Sequence, residues 1–141
     1  NGQRCCSIMS EEFKLEIISP EKLFLSKENV TEVVLPAYEG EMGILKDHIS
    51  IISFLKPGII KIYPKSNEEE KYYVEDGIIE FKDNSLSILT SSIFNLKNIE
   101  QKYISDSIKK AEKELENSSL GDQNKFLINQ KIDVLKSIST N

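Results

Sequence analysis

Tyr72-Tyr73-Val74-Glu75-Asp76-Gly77-Ile78-Ile79-Glu80-Phe81 decides the fold. Two short runs rich in β-branched and aromatic residues flank Asp76-Gly77, and Asp-Gly is a strong signal for a tight turn between strands. The stretch therefore predicts two strands joined by a turn. Working outward from it, the same pattern repeats. Phe13, Leu15 and Ile17 alternate with Lys14 and Glu16, the period of a strand with one buried face. Val30 to Leu35 is apolar and β-branched, and Pro36 is expected to stop it. Ile49 to Leu55 is a further apolar run closed by Pro57-Gly58. Ile59, Ile60 and Ile62 lead to Tyr63-Pro64 and a polar loop over Lys65 to Glu70. Asp83-Asn84 is the next turn, after which Leu86 and Ile88 alternate with serines. Many short strands at this spacing, with no helical pattern between them, predict an antiparallel sandwich or barrel.

The period changes near residue 96. Asn98 is an expected helix cap, with Gln101 where a capping-box partner belongs. Ile104, Ile108, Ala111 and Leu115 then form one apolar stripe, and charged residues fill the other faces. Asn117 to Gly121 breaks the helix. Asp122 is placed to cap a second one, with a stripe of Ile128, Ile132 and Leu135 widened by Phe126, Leu127, Val134 and Ile138. The expectation is an α+β chain, mainly β: a β-sandwich over 11–96, then an antiparallel αα-hairpin over 97–141. Residues 1–10, with adjacent Cys5 and Cys6, read as an N-terminal extension or cloning remnant, Met9 being a plausible natural start. Two narrow apolar stripes stabilise a helix pair only modestly, so the hairpin has to dock on the sandwich or on a partner.

Composition narrows the function. The chain of 141 residues carries 23 acidic and 18 basic side chains, a net charge of −5. That balance argues against the basic footprint of nucleic-acid binding. No apolar run reaches the roughly 20 residues of a membrane-spanning helix, so membrane association is expected only through partners. His48 is the single histidine, which leaves no nucleophile–histidine–acid set without it. Gly40-Glu41-Met42-Gly43 lacks the Gly-Lys-Ser/Thr ending of a phosphate loop. Cys5 and Cys6 do not supply the four ligands of a structural zinc. No catalytic residue, cofactor or metal is expected. Polar residues on a rigid β scaffold without a catalytic set read as a docking surface.

The order of the pieces resembles the ε subunit of F-type ATP synthase, called δ in mitochondria. Phe13 to Glu21 resembles the family's opening strand, and Val30 to Pro36 its second region. Glu39-Gly40-Glu41-Met42-Gly43-Ile44-Leu45, with His48, is similar to its most specific motif. Leu55-Lys56-Pro57-Gly58-Ile59-Ile60-Lys61-Ile62 and Asp76 to Phe81 follow in the family's order. The resemblance spans roughly residues 12–138. It implies a non-catalytic rotor subunit that binds the γ subunit and the c-ring and couples ion flow to ATP synthesis. It also implies a hairpin that acts on the α/β subunits in an inhibited state. The location it implies is peripheral, on the cytoplasmic face of the bacterial plasma membrane, the alternative being the matrix side of the mitochondrial inner membrane. Glu41 and His48 are the implied contacts to the ring's loops. Lys102, Lys109, Lys110 and Lys113, dense on one helix, are candidates for acidic surfaces of the catalytic subunits. Two departures stand out. Lys46-Asp47 replaces a common Pro-Gly pair. Where some relatives bind ATP through Ile-Asp-x-x-Arg-Ala, this chain reads Ile99-Glu100-Gln101-Lys102-Tyr103-Ile104, and a phenol brings no positive charge for phosphate. ATP binding there is not expected. The competing class is a β-sandwich that holds a small ligand, with a structural hairpin attached. The absence of Trp and the scatter of the tyrosines disfavour it.

Overall fold

The computed structural model describes residues 11–65, 68–117 and 119–139; Cys5 and Cys6 lie outside them. Nine strands precede two helices: β1 (Phe13–Ser19), β2 (Lys22–Ala37), β3 (Gly40–Leu45), β4 (Ile51–Leu55), β5 (Gly58–Pro64), β6 (Glu70–Val74), β7 (Gly77–Lys82), β8 (Ser85–Leu89), β9 (Ile93–Asn95), α1 (Gln101–Leu115) and α2 (Asp122–Ser139). The predicted class holds: a mostly antiparallel β-sandwich followed by two helices.

The sandwich is built on β2. Its first half pairs with β1, from Ser19↔Lys22 to Phe13↔Val30. Its second half pairs with β3 on one edge and β5 on the other. The strands run β1-β8-β7-β4-β2-β5-β6-β9, and β1 with β8 is the one parallel pair. Alternate side chains of the two arms point into a shared core that includes Leu15, Ile17, Val33, Leu35, Ile44, Ile60, Ile62, Ile79, Leu86 and Ile88, all fully buried. Phe13 and Phe81 meet edge to face there, centroids 5.7 Å apart. No buried side-chain nitrogen or oxygen lacks a hydrogen-bond partner among the described residues, as a stable interior requires.

Several local expectations change. Pro36 does not end its strand. It stays in β2 opposite Glu41, and its carbonyl accepts from the Lys56 N–H; a proline at that register needs no N–H of its own. Residues 40–45, despite two glycines, form a strand, and the β2–β3 connection is the two-residue turn Tyr38-Glu39. The first half of β2 and all of β9 carry too many polar or too few residues to show a period. Asp76-Gly77 does turn the chain, but not within a hairpin: β6 pairs with β5 and β9, whereas β7 pairs with β4 and β8, so the turn carries the chain from one arm of the sandwich to the other. Gly77 has φ +155°, and a Cβ there would sit 2.8 Å from the Leu89 carbonyl oxygen, so both backbone and space require glycine.

The helices start differently from their sequence signals. The N-cap of α1 is Glu100, not Asn98, and no side chain bonds the first turn. Gln101 instead reaches across to the Ser139 carbonyl at 3.2 Å. On α2, Ile132, Leu135 and Ile138 are buried, while Phe126 stays 55% exposed and takes no part in the stripe. The hairpin lies against the β5–β6–β9 side. Ile104, Leu135 and Ile138 form a second core with Tyr73, flanked by Ile59, Phe94 and Leu96.

Candidate functional site

The outward face of β4, β7 and β8 departs from ordinary sheet chemistry. An antiparallel sheet with one wet face alternates apolar-in with polar-out. Here Ser53, Leu55, Ile79, Phe81, Leu86 and Ile88 point inward. The outward positions nonetheless include Ile52 (67% exposed), Phe54 (57%), Ile78 (44%) and Leu89 (49%). The register lines three of them up, because Phe54 pairs with Ile78 and Ile78 with Leu89. Tyr38, from the β2–β3 turn, meets Phe54 at 6.4 Å between centroids and extends the row. Beside it lies an open groove of about 660 Å³, lined by Ile18, Pro20, Tyr38, Phe54, Ile78 and Leu89 among others. One register step away the row turns polar, with Ile52 opposite Glu80 and Glu80 opposite Ser87. Contiguous exposed apolar side chains with a polar margin mark an interaction surface.

The sequence did not single out this row, although a signal was there. Ile51, Ile52, Phe54 and Leu55 are apolar on both faces of β4, which is the pattern of a strand covered on both sides. An apolar run of this kind does not by itself distinguish a strand buried by its own core from one covered by a partner.

Glu41 and His48 lie apart. Glu41 is exposed on β3 beside the Tyr38-Glu39 turn, whereas His48 follows the far end of the same strand. At ~3.3 Å per residue the length of β3 separates them, so they do not share one loop. His48 is half-buried. Its ring stands edge-on to Phe81 at 5.9 Å, its Nδ1 lies 2.8 Å from the Ile49 carbonyl oxygen, and its N–H donates to the Leu45 carbonyl. Those contacts close the end of the sandwich. Just before it, Asp47 adopts φ 67°, a conformation a glycine takes freely. The Asn84 side chain offsets the strain: its Oδ1 accepts from the Asp47 N–H at 2.6 Å, and its Nδ2 donates to the Asp47 carboxylate at 3.0 Å. The Lys46-Asp47 departure is thus accommodated by a partner 37 residues away.

Glu41 has acidic company. The Tyr63 phenol is held above its usual pKa, first by its hydrogen bond to Glu69 and then by burial and the charges of Glu69, Glu32 and Glu41. In the turn, the Glu39 carboxylate accepts from Ser53 Oγ at 3.1 Å. Glu39 and Glu41 therefore have different surroundings, one tied to β4 and one in solvent. Among the described residues no group of three or more His, Cys, Asp or Glu side chains is placed to hold a metal ion. Lys102, Lys109, Lys110 and Lys113 are all exposed on α1, and none forms an ion pair among the described residues.

Residues 12–96 match the family described as ATP synthase, Delta/Epsilon chain, beta-sandwich domain. The ATP synthase epsilon chain of Pelagibacter ubique (strain HTCC1062) is 69% identical over 131 residues, covering 93% of this chain and all of that one. The ATP synthase epsilon chain of Rhizobium meliloti (strain 1021) is 32% identical over 130 residues, 92% of this chain and 95% of that one. The fold is shared with a chain of the Euglena gracilis mitochondrial ATP synthase, OSCP/F1/c-ring assembly (TM-score 0.71, 18% identity, 92% of this chain and 80% of that one). It is shared also with a chain of the Tetrahymena thermophila mitochondrial ATP synthase central stalk/c-ring (TM-score 0.64, 14% identity, 89% and 95%).

Proposed function

The chain belongs to the ATP synthase delta/epsilon family, and from that membership we propose a non-catalytic central-stalk role in which the sandwich joins the γ subunit to the c-ring. The observation that supports the docking part is the exposed apolar row Tyr38–Phe54–Ile78–Leu89. A rotor subunit transmits torque through a rigid interface, and apolar side chains fixed on three paired strands provide one. We assign this face to γ. The turn end of β2–β3, with Glu41 exposed beside it, faces the c-ring. A contact that engages both Glu41 and His48 runs along the whole of β3, which a ring of repeated loops is extended enough to make. Charges at such an edge set register and association rate more than affinity. The chain is peripheral to the membrane, on the side where F1 sits: the cytoplasmic face in a bacterium. No helix of the described residues is long and apolar enough to cross a membrane.

The hairpin is the regulatory part of this reading. It lies down on the sandwich with Lys102, Lys109, Lys110 and Lys113 in solvent. Released, α1 presents Lys102, Lys109, Lys110 and Lys113 to acidic surfaces of the catalytic subunits and slows ATP hydrolysis. Charge reversal at Lys109, Lys110 and Lys113 is expected to relieve that inhibition, and unchanged hydrolysis counts against it.

Co-elution with the cognate γ subunit on a sizing column tests the docking assignment. The full chain is expected to co-elute with γ. Ile78→Asp, which places a charge in the middle of the row without touching the core, is expected to elute alone with its melting temperature kept. Retention of γ by Ile78→Asp moves the interface elsewhere. Failure of the unaltered chain to bind folded γ overturns the rotor reading.

A further inference from the structure

Glu75 is the one side chain of the β domain that touches both helices through polar contacts among the described residues. It follows β6, just before the Gly77 turn. Three donors converge on its Oε2: the Tyr73 hydroxyl from β6 at 3.2 Å, the Tyr103 hydroxyl from α1 at 3.4 Å and Lys131 Nζ from α2 at 3.4 Å. The Glu75 and Lys131 side chains are about one-fifth exposed (21% and 23%), so solvent screens them less than a surface pair. An aromatic stack supports the donors. Tyr73 lies 6.3 Å from Phe94, and Phe94 lies 4.6 Å from Tyr103. Burial, with the Glu75 charge behind it, raises the pKa of both the Tyr73 and the Tyr103 phenols, as expected of hydroxyls held against a carboxylate. Ser107, one turn further along α1, opposes this in part at Tyr103.

We propose that Glu75 is a latch that holds the hairpin on the sandwich and ties the release of α1 to that of α2. The proposal rests on the reading of the hairpin as a regulatory element and names what sets its equilibrium. The apolar seam beneath the latch is small, with Ile104 from α1 and Leu135 and Ile138 from α2 against Tyr73, so a few polar contacts weigh heavily in it. The bond lengths also fit a releasable device. The two contacts that cross to the hairpin, from Tyr103 and Lys131, are both 3.4 Å, longer than the strongest hydrogen bonds. Each helix contributes one donor, so lifting either helix alone leaves the partly buried carboxylate short of a partner, which is unfavourable. Opening is therefore concerted. Phe126 near Lys56, with the ammonium 5.9 Å from the ring centre, adds a weaker contact nearer the start of α2.

Native-state hydrogen exchange, read by mass spectrometry on the full-length chain, tests the latch. Glu75→Gln keeps an acceptor for the tyrosines but removes the charge; Lys131→Met removes the α2 partner from the other side. Each change is expected to speed exchange across both α1 and α2 roughly tenfold, while β4, β7 and β8 keep their rates. The double variant is expected to add little to either single one, since the two share one interaction. Lys136→Met, which removes only the 3.9 Å pair with Glu112, is the control and should change nothing. Unchanged helix exchange in Glu75→Gln and Lys131→Met overturns the latch, as does acceleration of one helix alone. Equal acceleration of sandwich and helices in both variants overturns it in favour of general loosening. If the helices of the unaltered chain already exchange only with the sandwich, the regulatory reading itself fails. If they open independently but ignore both substitutions, only the latch fails.

Discussion

The sandwich and the hairpin are stabilised by different means. The sandwich closes a core of sixteen buried side chains drawn from eight of its strands, cross-linked by a nearly continuous ladder of strand pairs. The hairpin buries Ile104 and Ala111 from α1 and Ile132, Leu135 and Ile138 from α2. It begins with a helix that has no side-chain cap, rests on a small apolar seam, and sends Tyr103 and Lys131 to one carboxylate of the sandwich, Glu75. A rigid interface is best carried by the first, and the second is the element expected to open at lower cost. The difference gives a ranked set of ways to break it.

The largest effect is expected in the sandwich core. Phe81→Ala removes a ring that meets both Phe13 and His48 edge-on. It should cost ~3–5 kcal/mol, seen as a large fall in the urea midpoint of the whole chain. Leu135→Ala deletes a side chain buried as completely as any in the sandwich. Its cost, ~2–5 kcal/mol in a cooperative core, is capped here by the docking energy of the hairpin. The expected result is fast exchange in α1 and α2 with little change in sandwich unfolding. A full-sized fall in the sandwich midpoint breaks the distinction.

Smaller changes sharpen it. Glu100 has the extended backbone of an N-cap, φ −83° and ψ 141°, without a capping bond. Glu100→Ser should add ~0.5–1 kcal/mol to the hairpin alone, measured as slower exchange in α1. The last effect appears only in alkali. Burial, and then the hydrogen bond to Glu70, push the Tyr72 phenol up to about 12 from 10.0. The folded state thus holds the proton more tightly than the unfolded state. The resulting stability is fully present below pH 10 and is lost as pH rises from about 10 to about 12. Tyr72→Phe should flatten that part of the stability–pH curve, checked by urea titrations across the range.

Much of the fold was legible because it is written in local pattern. The alternation over Phe13–Ile17, the Asp76-Gly77 turn and the change of period after residue 96 each need only neighbouring residues. The strand Gly40–Leu45 was not, since two glycines dilute its alternation and pairing with β2 supplies the stability. The Asn98 cap failed for the opposite reason: a good local signal lost to the packing that starts α1 at Gln101. Glu41 and His48 could be named but not placed, because their spacing along the chain says nothing about which end of a strand each occupies. The apolar row and the Glu75 cluster are long-range in kind. Phe54, Ile78 and Leu89 come from three strands, and Glu75, Tyr103 and Lys131 from three elements. Only the register and the docked hairpin bring them together.

The sandwich face over β4, β7 and β8 is the part expected to dock. Hydrogen exchange of the full-length chain, free and saturated with its cognate γ subunit, tests this most directly. Slowed exchange over β4, β7 and β8 on adding γ is the predicted result. Slowing confined to α1 and α2, with the sheet unchanged, would contradict it.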